Sequence, residues 1–366
     1  MVVSSDLETT PDPAAIVDES SADLLIHRAA GTGQSADYCA LKFSTEHVLS
    51  KRSQIMSETE ENRGHENREL YKSPAADLHP HNLPSAPVQV DLAARSHQGL
   101  VRSNNEDHYL VVRMIRSLET VLTNVAEGAV PKSFDETLYG MVVADGIGGM
   151  AAGEVASRVA LLTLVELVAQ TPDWIMKMNQ RENAAIVMRR MTHRFRKIDD
   201  ELRELGETTR SLHGMGTTLT VAATLGTNVF LGHIGDSRAY LLRGEKLYQL
   251  TKDHTLAQAL IEAGIAEPDD ASTKAMRHVL TAALGSTGEQ TDPQVERVHL
   301  NNGDQVLLCT DGLSEMVTDD GIASVLREAA SSEAACQCLI DLALAGGGKD
   351  NITVVLARYQ FPRGQE

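Results

Sequence analysis

Several acidic residues stand where short apolar segments begin or end, and they define the chemistry that this chain could perform. Asp145 and Asp311 each follow an apolar, strand-like run and precede a glycine, whereas Asp350 stands just before such a run. Glu106 and Asp107 lie on the approach to another apolar run. A carboxylate at the end of a buried strand is costly unless something compensates its charge. Carboxylates that converge without cysteines suit hard cations such as Mg²⁺ or Mn²⁺, which prefer oxygen ligands.

Glycines follow the first of these acids and allow a second interpretation of the same stretch. Gly148, Gly149 and Gly153 separate Asp145 from sequence with a helical period, which is typical of a strand-to-helix turn. Such a turn can also cradle a phosphate with its backbone amides. Each Asp-Gly pair taken alone is typical of an ordinary turn. Only the order and spacing of all the acids together favour a cation site.

The elements that must position these acids are predicted from hydrophobic periodicity. Strands are expected at residues 88–94, 109–113, 139–144, 217–224, 229–235, 239–242, 305–309 and 352–359. The strands between residues 217 and 242 are expected to form one antiparallel meander. Helices are expected after Gly153 with Val155, Val159 and Leu162 on one side, at 184–205 with Gly206 as its end, at 256–263, at 320–329, and at 333–344 with Ser332 as its cap.

Two segments are interpreted as an insertion and a surface lobe. Residues 114–137 resemble an insertion, with a helical stretch through Leu118, Val121 and Leu122 and a loop at 128–135. Residues 251–290 hold the short helix at 256–263 and then a polar excursion, which we expect to form a mobile surface lobe. Neither segment carries the acids described above.

Composition limits the classes of function. The 366-residue chain is 42% hydrophobic and has a formal net charge of -18, which argues against a nucleic-acid or anionic-membrane surface. No apolar run reaches the roughly 18 residues that a membrane span needs. The first residues show neither a basic segment nor an apolar one of the kind found in secretory signals, and the four cysteines form no disulfide framework. A cytoplasmic, reducing location is therefore expected.

The first 88 residues are polar and show no sustained period of helix or strand. Such a composition cannot bury a core alone, so a disordered or weakly folded N-terminal extension is predicted. Two roles stay open for it: a simple linker, or a regulatory or targeting arm.

Seven short motifs in order carry a resemblance to a known family. They are RSNNED at 102–107, VVADGIGG at 142–149, GTT at 216–218, GDSR at 235–238, LTKDHT at 250–255, LLCTDGL at 307–313 and KDNITVV at 349–355. Together they resemble the metal-dependent protein phosphatase 2C family, and the residues of the motifs are closer to those of its bacterial members. The resemblance covers roughly residues 90 to 359.

The resemblance implies a fold and an activity. The family fold is α+β, a four-layer α-β-β-α sandwich of two antiparallel sheets flanked by helices, and it would occupy residues 89–361 with a flap lobe at about 251–285. The implied activity is hydrolysis of phosphoserine and phosphothreonine in proteins by metal-activated water. Two Mn²⁺ or Mg²⁺ ions are implied as cofactors, and phosphorylated proteins as partners, with neither nucleic acid nor a membrane span.

The resemblance also implies roles for individual acids. Asp145 would bridge the two cations. The carbonyl of Gly146 and the carboxylate of Glu106 would complete one site, and Asp311 and Asp350 would serve the other.

Three further residues take implied roles at the edge of this arrangement. Arg102 would bind the substrate phosphate, and Asp107 would hold waters that the cations bind. Asp236 would hold a third, weaker cation together with Asp311, although an ordinary turn explains Asp236 nearly as well.

One position departs from the family pattern. Animal members often have a histidine directly after the Asp-Gly pair, a candidate acid for the leaving alcohol, and this chain has Ile147 there. His97, His108, His233 and His254 lie near the motifs, but a lone histidine is more often a hydrogen-bonded structural residue. His254 is expected to anchor the flap, and a metal-bound water is expected to act as the acid.

Two other functions stay open at this point. The fold could serve as a pseudophosphatase that only binds a partner, although no core acid is missing. A phosphatase acting on a small phosphorylated molecule would present a similar phosphate site.

Overall fold

The computed structural model describes residues 88–125, 130, 132–148, 152–170, 182–267, 270, 273, 275–286, 290 and 292–361. The N-terminal extension expected over residues 1–88 therefore lies, except for Val88, outside the described residues. None of the helices in the described part of the chain combines the length and apolarity needed to cross a bilayer.

The strands, in chain order, are β1 (Gln89–His97), β2 (His108–Glu119), β3 (Ser133–Ala144), β4 (Gly146–Ile147), β5 (Gly216–Thr217), β6 (Leu219–Leu225), β7 (Asn228–Ile234), β8 (Arg238–Arg243), β9 (Lys246–Gln249), β10 (Gln294–His299), β11 (Gln305–Cys309) and β12 (Ile352–Gln360). The α-helices are α1 (Ala152–Ala169), α2 (Glu182–Thr208), α3 (Leu256–Glu262), α4 (Asp311–Ser314), α5 (Asp319–Glu328) and α6 (Ser332–Ala345).

Two five-stranded sheets form the centre of the fold. The first has the order β1-β12-β11-β8-β9 and the second has the order β10-β7-β6-β3-β2. Every pairing in both sheets is antiparallel. The small pair β4-β5 lies beside them and continues from the end of β3.

Alternating side chains on the strands produce three apolar layers. On β3, Val142 and Ala144 pack with residues of α1 and α2, whereas Met141 and Val143 belong to the cluster between the two sheets. The first sheet packs in the same way against α5 and α6 through residues such as Leu356. The expected four-layer α-β-β-α sandwich is confirmed.

The expected single meander is wrong in its connectivity. β6 and β7 form a hairpin in the second sheet, and β8 and β9 form one in the first. The chain crosses from one sheet to the other at residues 235–237, where Gly235 has a φ of 111°. The local sequence predicts a turn here. It does not predict which sheet the next strand joins, because that depends on how the two sheets pack.

The expected helix in residues 114–137 is also wrong. β2 continues to Glu119 and pairs along its whole length with β3, so that Glu119 lies opposite Ser133. A strand partner supplied by the rest of the chain outweighs a weak helical pattern. Part of the loop expected at 128–135 lies outside the described residues, and Ser133 to Asp135 belong to β3.

Smaller differences concern helix ends and faces. Leu162 is 63% exposed, and α1 packs instead through Ala156, Ala160 and the neighbouring Leu161. Gly206 does not end α2, which continues to Thr208. Ser331 rather than Ser332 caps α6, since its side chain accepts a hydrogen bond from the amide of Ala334.

Strand β10 was not predicted from the sequence. It pairs with β7 over six residues, from Gln294 opposite His233 to His299 opposite Asn228. Its polar side chains hide the period of a strand, because it forms an edge of the second sheet.

Candidate metal centre

Antiparallel pairing brings the acidic residues to one end of both sheets. In the second sheet His108 lies opposite Ala144, so Glu106 and Asp107 precede one strand where Asp145 follows its partner. In the first sheet Cys309 lies opposite Val354, so Asp311 follows β11 at the end where Asp350 precedes β12. We call Glu106, Asp107, Asp145, Asp236, Asp311 and Asp350 the acidic centre.

Burial and mutual repulsion disfavour the charged forms of Asp107, Asp145, Asp236 and Asp311. Burial raises the pKa of Asp145 well above its usual range, and the carboxylates of Asp107 and Asp311 raise it further. Burial is also the main reason that the pKa of Asp311 is raised to about 7 and that of Asp236 to about 8. The acidic centre therefore holds several buried carboxyl groups whose negative charges would repel one another.

Two buried carboxylate oxygens of the acidic centre have no hydrogen-bond partner among the residues that the structure describes. They are Oδ1 of Asp107 and Oδ1 of Asp311. Such orphaned buried oxygens are unusual in native proteins. They fit an oxygen-liganded divalent cation, and so does the exclusively carboxylate and carbonyl character of the set.

Two glycines allow the first of these ligands to come together. A Cβ atom on Gly153 would lie 2.6 Å from Oε2 of Glu106 and 2.7 Å from the carbonyl oxygen of Gly146. The carboxylate of Glu106 and the carbonyl of Gly146 therefore lie side by side against the first turn of α1. Gly153 was noted in the sequence only as part of a turn; its role in this close approach is visible only in three dimensions.

Two threonines hold the backbone of Asp145. The carbonyl oxygen of Asp145 accepts hydrogen bonds from Oγ1 of Thr217 at 2.8 Å and from the amide of Thr218 at 2.9 Å. The amide of Asp145 donates to Oγ1 of Thr218 at 3.0 Å. The motif at 216–218 thus fixes the peptide that follows β3, and the pairing of Gly146 with Thr217 continues this contact.

Asp107 is buried and held by hydroxyl groups. Its Oδ2 accepts hydrogen bonds from Oγ1 of Thr310 at 2.8 Å and from Oγ1 of Thr353 at 2.7 Å. Burial raises the pKa of Asp107 to about 7, against the opposing effect of these two hydroxyl groups. The two threonines come from the ends of β11 and β12, so Asp107 links both sheets at the acidic centre.

Asn351 joins the segments that carry the acids, and sequence reasoning assigned it no role. Its Oδ1 accepts a hydrogen bond from the amide of Glu106 at 2.7 Å, and its Nδ2 donates to the carbonyls of Gln98 and Asn104. The position after Asp350 was the only sequence signal for it.

Arg102 lies at the open side of the acidic centre. Its Nη2 donates to Oδ2 of Asp350 at 2.5 Å, and its side chain is 55% exposed. The hydrogen bond to Asp350 raises the pKa of Arg102. A planar cation that solvent reaches and that borders a carboxylate cluster can receive phosphate oxygens.

Asp236 lies at the crossing between the two sheets, and a second group of donors adjoins the nearby Asp311. Side-chain donor atoms of His278, Asp311 and Glu315 lie within 4.8 Å of one another. Nδ1 of His278 is 2.5 Å from Oε1 of Glu315. Neither His278 nor Glu315 was singled out in the sequence, because no motif spacing relates the flap segment to α4.

The histidines near the motifs have structural contacts. His233 is buried and stacks on His254 with ring centroids 5.1 Å apart, and burial lowers its pKa to about 3. Nδ1 of His254 accepts a hydrogen bond from the amide of Gly235, and the backbone carbonyl of His254 accepts one from the amide of Thr281. His108 hydrogen-bonds to Ser157 and His97 to the amide of Gly99.

Comparison with known proteins identifies the family of this chain. Residues 132–345, more than half of the chain, match the protein phosphatase 2C family. The chain belongs to the protein phosphatase 2C family. Over 268 residues it is 37% identical to the serine/threonine protein phosphatase PstP of Mycobacterium tuberculosis, a match that covers 72% of this chain and 44% of PstP. The chain thus spans less than half the length of that relative.

Other members of the family match over more of their length. The serine/threonine phosphatase stp of Listeria welshimeri is 34% identical over 237 residues, which cover 62% of this chain and 87% of that protein. The crystal structure of the Mycobacterium tuberculosis phosphatase PstP/Ppp superimposes with a TM-score of 0.59 at 35% identity, covering 74% of this chain and 99% of that one. A structure of the PstP catalytic domain with two manganese ions has a TM-score of 0.58 at 34% identity, covering 75% of this chain and 100% of that one.

Proposed function

We propose that this chain is a metal-dependent serine/threonine protein phosphatase of the protein phosphatase 2C family. One observation carries the proposal: carboxyl groups from strand ends of both sheets converge, and burial and mutual repulsion raise the pKa values of Asp107, Asp145, Asp236 and Asp311. The family's members that match this chain bear phosphatase names, and one of their structures holds two manganese ions. We assign residues 89–361 as the catalytic domain, with the flap lobe at about 251–285.

The acidic centre would hold two Mn²⁺ or Mg²⁺ ions. Asp145 would bridge them, with Glu106 and the carbonyl of Gly146 on one side and Asp311 and Asp350 on the other. When bound, two such ions supply a water of lowered pKa and neutralise charge that develops on the phosphoryl group.

The remaining groups of the site act around the phosphate. Arg102 would leave Asp350 and present its planar fork to two phosphate oxygens, a geometry that lysine does not match. Asp107, fixed by Thr310 and Thr353, would orient water with its free Oδ1. Ile147 has no proton to give, so the leaving alcohol takes its proton from water in the site.

Asp236 would help hold a third, weaker cation with Asp311. The pKa of Asp236 is raised first by burial and next by repulsion from the carboxylate of Asp311. A third ion here would relieve that repulsion.

The proposed substrates are phosphorylated proteins, the products of a serine/threonine kinase. A reducing compartment such as the cytoplasm fits the buried free thiols of Cys309 and Cys336. The flap would contact the protein part of the substrate, so replacing it should change the preference among phosphopeptides while turnover of a small aryl phosphate is retained.

The decisive experiment measures hydrolysis of a phosphothreonine peptide with and without Mn²⁺, in the wild type and in Asp145→Asn. We expect activity that requires Mn²⁺, that is lost on chelation, and that Asp145→Asn abolishes. Asp304→Asn is the matched control, because Asp304 is a buried carboxylate near the other end of β11. Metal-independent hydrolysis, or full activity in Asp145→Asn, would overturn the proposal. Preference for free phosphoserine over the peptide would overturn the substrate class.

A further inference from the structure

We propose that Asp199, a buried residue of α2 outside the acidic centre, is a positioning residue that sets the geometry of Asp145 and Gly146 through the end of the flap segment. The inference rests on the proposed roles of Asp145 and Gly146 as metal ligands. A residue of α2, a helix that contains none of the seven sequence motifs, would thereby take part in cation binding.

Asp199 is only 3% exposed, and its contacts extend beyond the ion pair with Arg203 of the same helix. Its Oδ2 accepts hydrogen bonds from Nε of Arg203, one turn further along α2, at 2.8 Å and from Nε2 of Gln290 at 3.0 Å. Its Oδ1 accepts a hydrogen bond from the amide of Gly285 at 2.7 Å. A helix carboxylate is thereby joined to the backbone at the end of the flap segment.

Gly285 is built for this contact. Its φ is +78°, in the left-handed region that favours glycine. A Cβ atom there would lie 2.8 Å from Cβ of Leu202, so the backbone rests directly on α2. Because hydrogen bonds to charged acceptors are stronger than neutral ones, Asp199 fixes this backbone firmly.

The neighbouring residue passes the contact to the site. Leu284 is buried and exchanges two backbone hydrogen bonds with Thr217, both of 2.9 Å. On its other side Thr217 pairs with Gly146, and its Oγ1 donates to the carbonyl of Asp145 at 2.8 Å. Leu284, Thr217 and Gly146 therefore lie opposite one another on three neighbouring segments of the backbone. Asp199 holds the outer segment through the amide of Gly285, and the inner segment carries Asp145 and Gly146 of the proposed metal site.

Loss of the Asp199 carboxylate should release the backbone at Leu284 and Gly285 and loosen the peptide between Asp145 and Gly146. Residues that orient metal ligands without binding the metal typically change affinity 10- to 100-fold when replaced. We expect Asp199→Ala to weaken Mn²⁺ binding by about 10-fold. At saturating Mn²⁺ kcat should recover, and KM for the phosphopeptide should stay near the wild-type value, because Arg102 lies outside this chain of contacts.

The test combines calorimetric Mn²⁺ binding with hydrogen exchange at the amides of Leu284 and Gly285 in the full-length chain. Asp199→Ala should expose both amides to exchange and raise the Mn²⁺ dissociation constant. Asp199→Asn keeps an oxygen for the Gly285 amide and should restore protection and affinity to within about 3-fold, a partial loss because its NH₂ group then faces Arg203 and Gln290.

Asp304→Ala is the control for a loss of stability alone. Asp304 is a buried carboxylate that pairs with Arg243 through Nη2 at 2.7 Å and also accepts the amide of Asn301. This variant should melt earlier but bind Mn²⁺ as the wild type does. Unchanged Mn²⁺ affinity in Asp199→Ala, or an equal loss in Asp304→Ala, would overturn the inference. A wild type that binds no Mn²⁺ would instead overturn the proposed metal centre, and the inference with it.

Discussion

Two groups of enclosed carboxylates in this protein have opposite surroundings. In the first group each acid pairs with an arginine: Asp199 with Arg203, Asp253 with Arg238, and Asp304 with Arg243. In the second group Asp107, Asp145, Asp236 and Asp311 lie near one another, and burial and mutual repulsion raise their pKa values.

The difference separates structure from chemistry. A carboxylate paired with arginine is complete within the fold, and breaking the pair leaves an uncompensated charge behind. A cluster of carboxylates that repel one another is incomplete, since its charge favours binding of cations from outside. The same residue type thus serves two purposes, and only its neighbours tell them apart.

The largest expected effect comes from removing one acid of the centre. Asp145→Asn should lower Mn²⁺-dependent hydrolysis by at least about 1,000-fold, or about 4 kcal/mol of transition-state stabilisation. The metal-free variant should be no less stable than the wild type, because an uncharged amide removes one of the buried carboxylates that repel each other. Chemical denaturation without metal measures this. A clear loss of stability would mean that Asp145 belongs with the structurally paired acids.

Cation binding should stabilise the fold only through the acidic centre. Mn²⁺ at about 100 times its dissociation constant should add about 2.7 kcal/mol to the free energy of unfolding, since it binds the folded state alone. Asp311→Asn should lose most of this gain. Thermal unfolding with and without Mn²⁺ is the measurement, and an equal gain in Asp311→Asn would place the cation elsewhere.

A paired acid should behave in the opposite way. Asp304→Asn should lower the free energy of unfolding by about 2 kcal/mol, because the buried end of the Arg243 contact loses its charge. Its dependence on Mn²⁺ should not change. Urea denaturation measures the loss of stability, and titration of activity with Mn²⁺ measures the metal dependence. A shifted Mn²⁺ dependence would contradict the separation of arginine-paired acids from the acids of the centre.

His233 extends the comparison to a buried base. Burial lowers the pKa of His233 to about 3, so below pH about 6.5 the unfolded chain binds a proton that the folded protein does not. Stability should therefore fall as the pH drops through this window, by up to about 1.4 kcal/mol per pH unit from this group. In His233→Gln that part of the slope should disappear. An unchanged difference between pH 6.5 and pH 5 would contradict the assigned burial effect.

Much of the fold was predictable because its elements are strongly periodic. The strand at Gln305–Cys309 has the predicted bounds, and α5 and α6 begin within one residue of expectation. Prediction failed where a partner decided the outcome. β2 extends through the segment expected to be helical because β3 lies beside it, and β10 is a strand because it pairs with β7.

The acids of the candidate site were all named from the sequence, since each stands at a strand end next to a recognisable motif. Their supports were not. Gly153 matters because α1 comes close to Glu106, and Asn351 because three loop segments meet there. Contacts between segments far apart in the chain leave no local periodicity to detect.

The sequence by itself determined which residue types could bind cations, in what order, and on which strand ends, because these follow from local pattern and donor chemistry. Tertiary structure alone decided which carboxylates stay without a cationic partner. Asp145 follows an apolar strand and Asp304 precedes one, and both are aspartates. Packing places Arg243 beside Asp304, whereas it places Asp107, Asp236 and Asp311 near Asp145. Electrostatic energy depends on distance through space, and the chain's sequence does not state those distances.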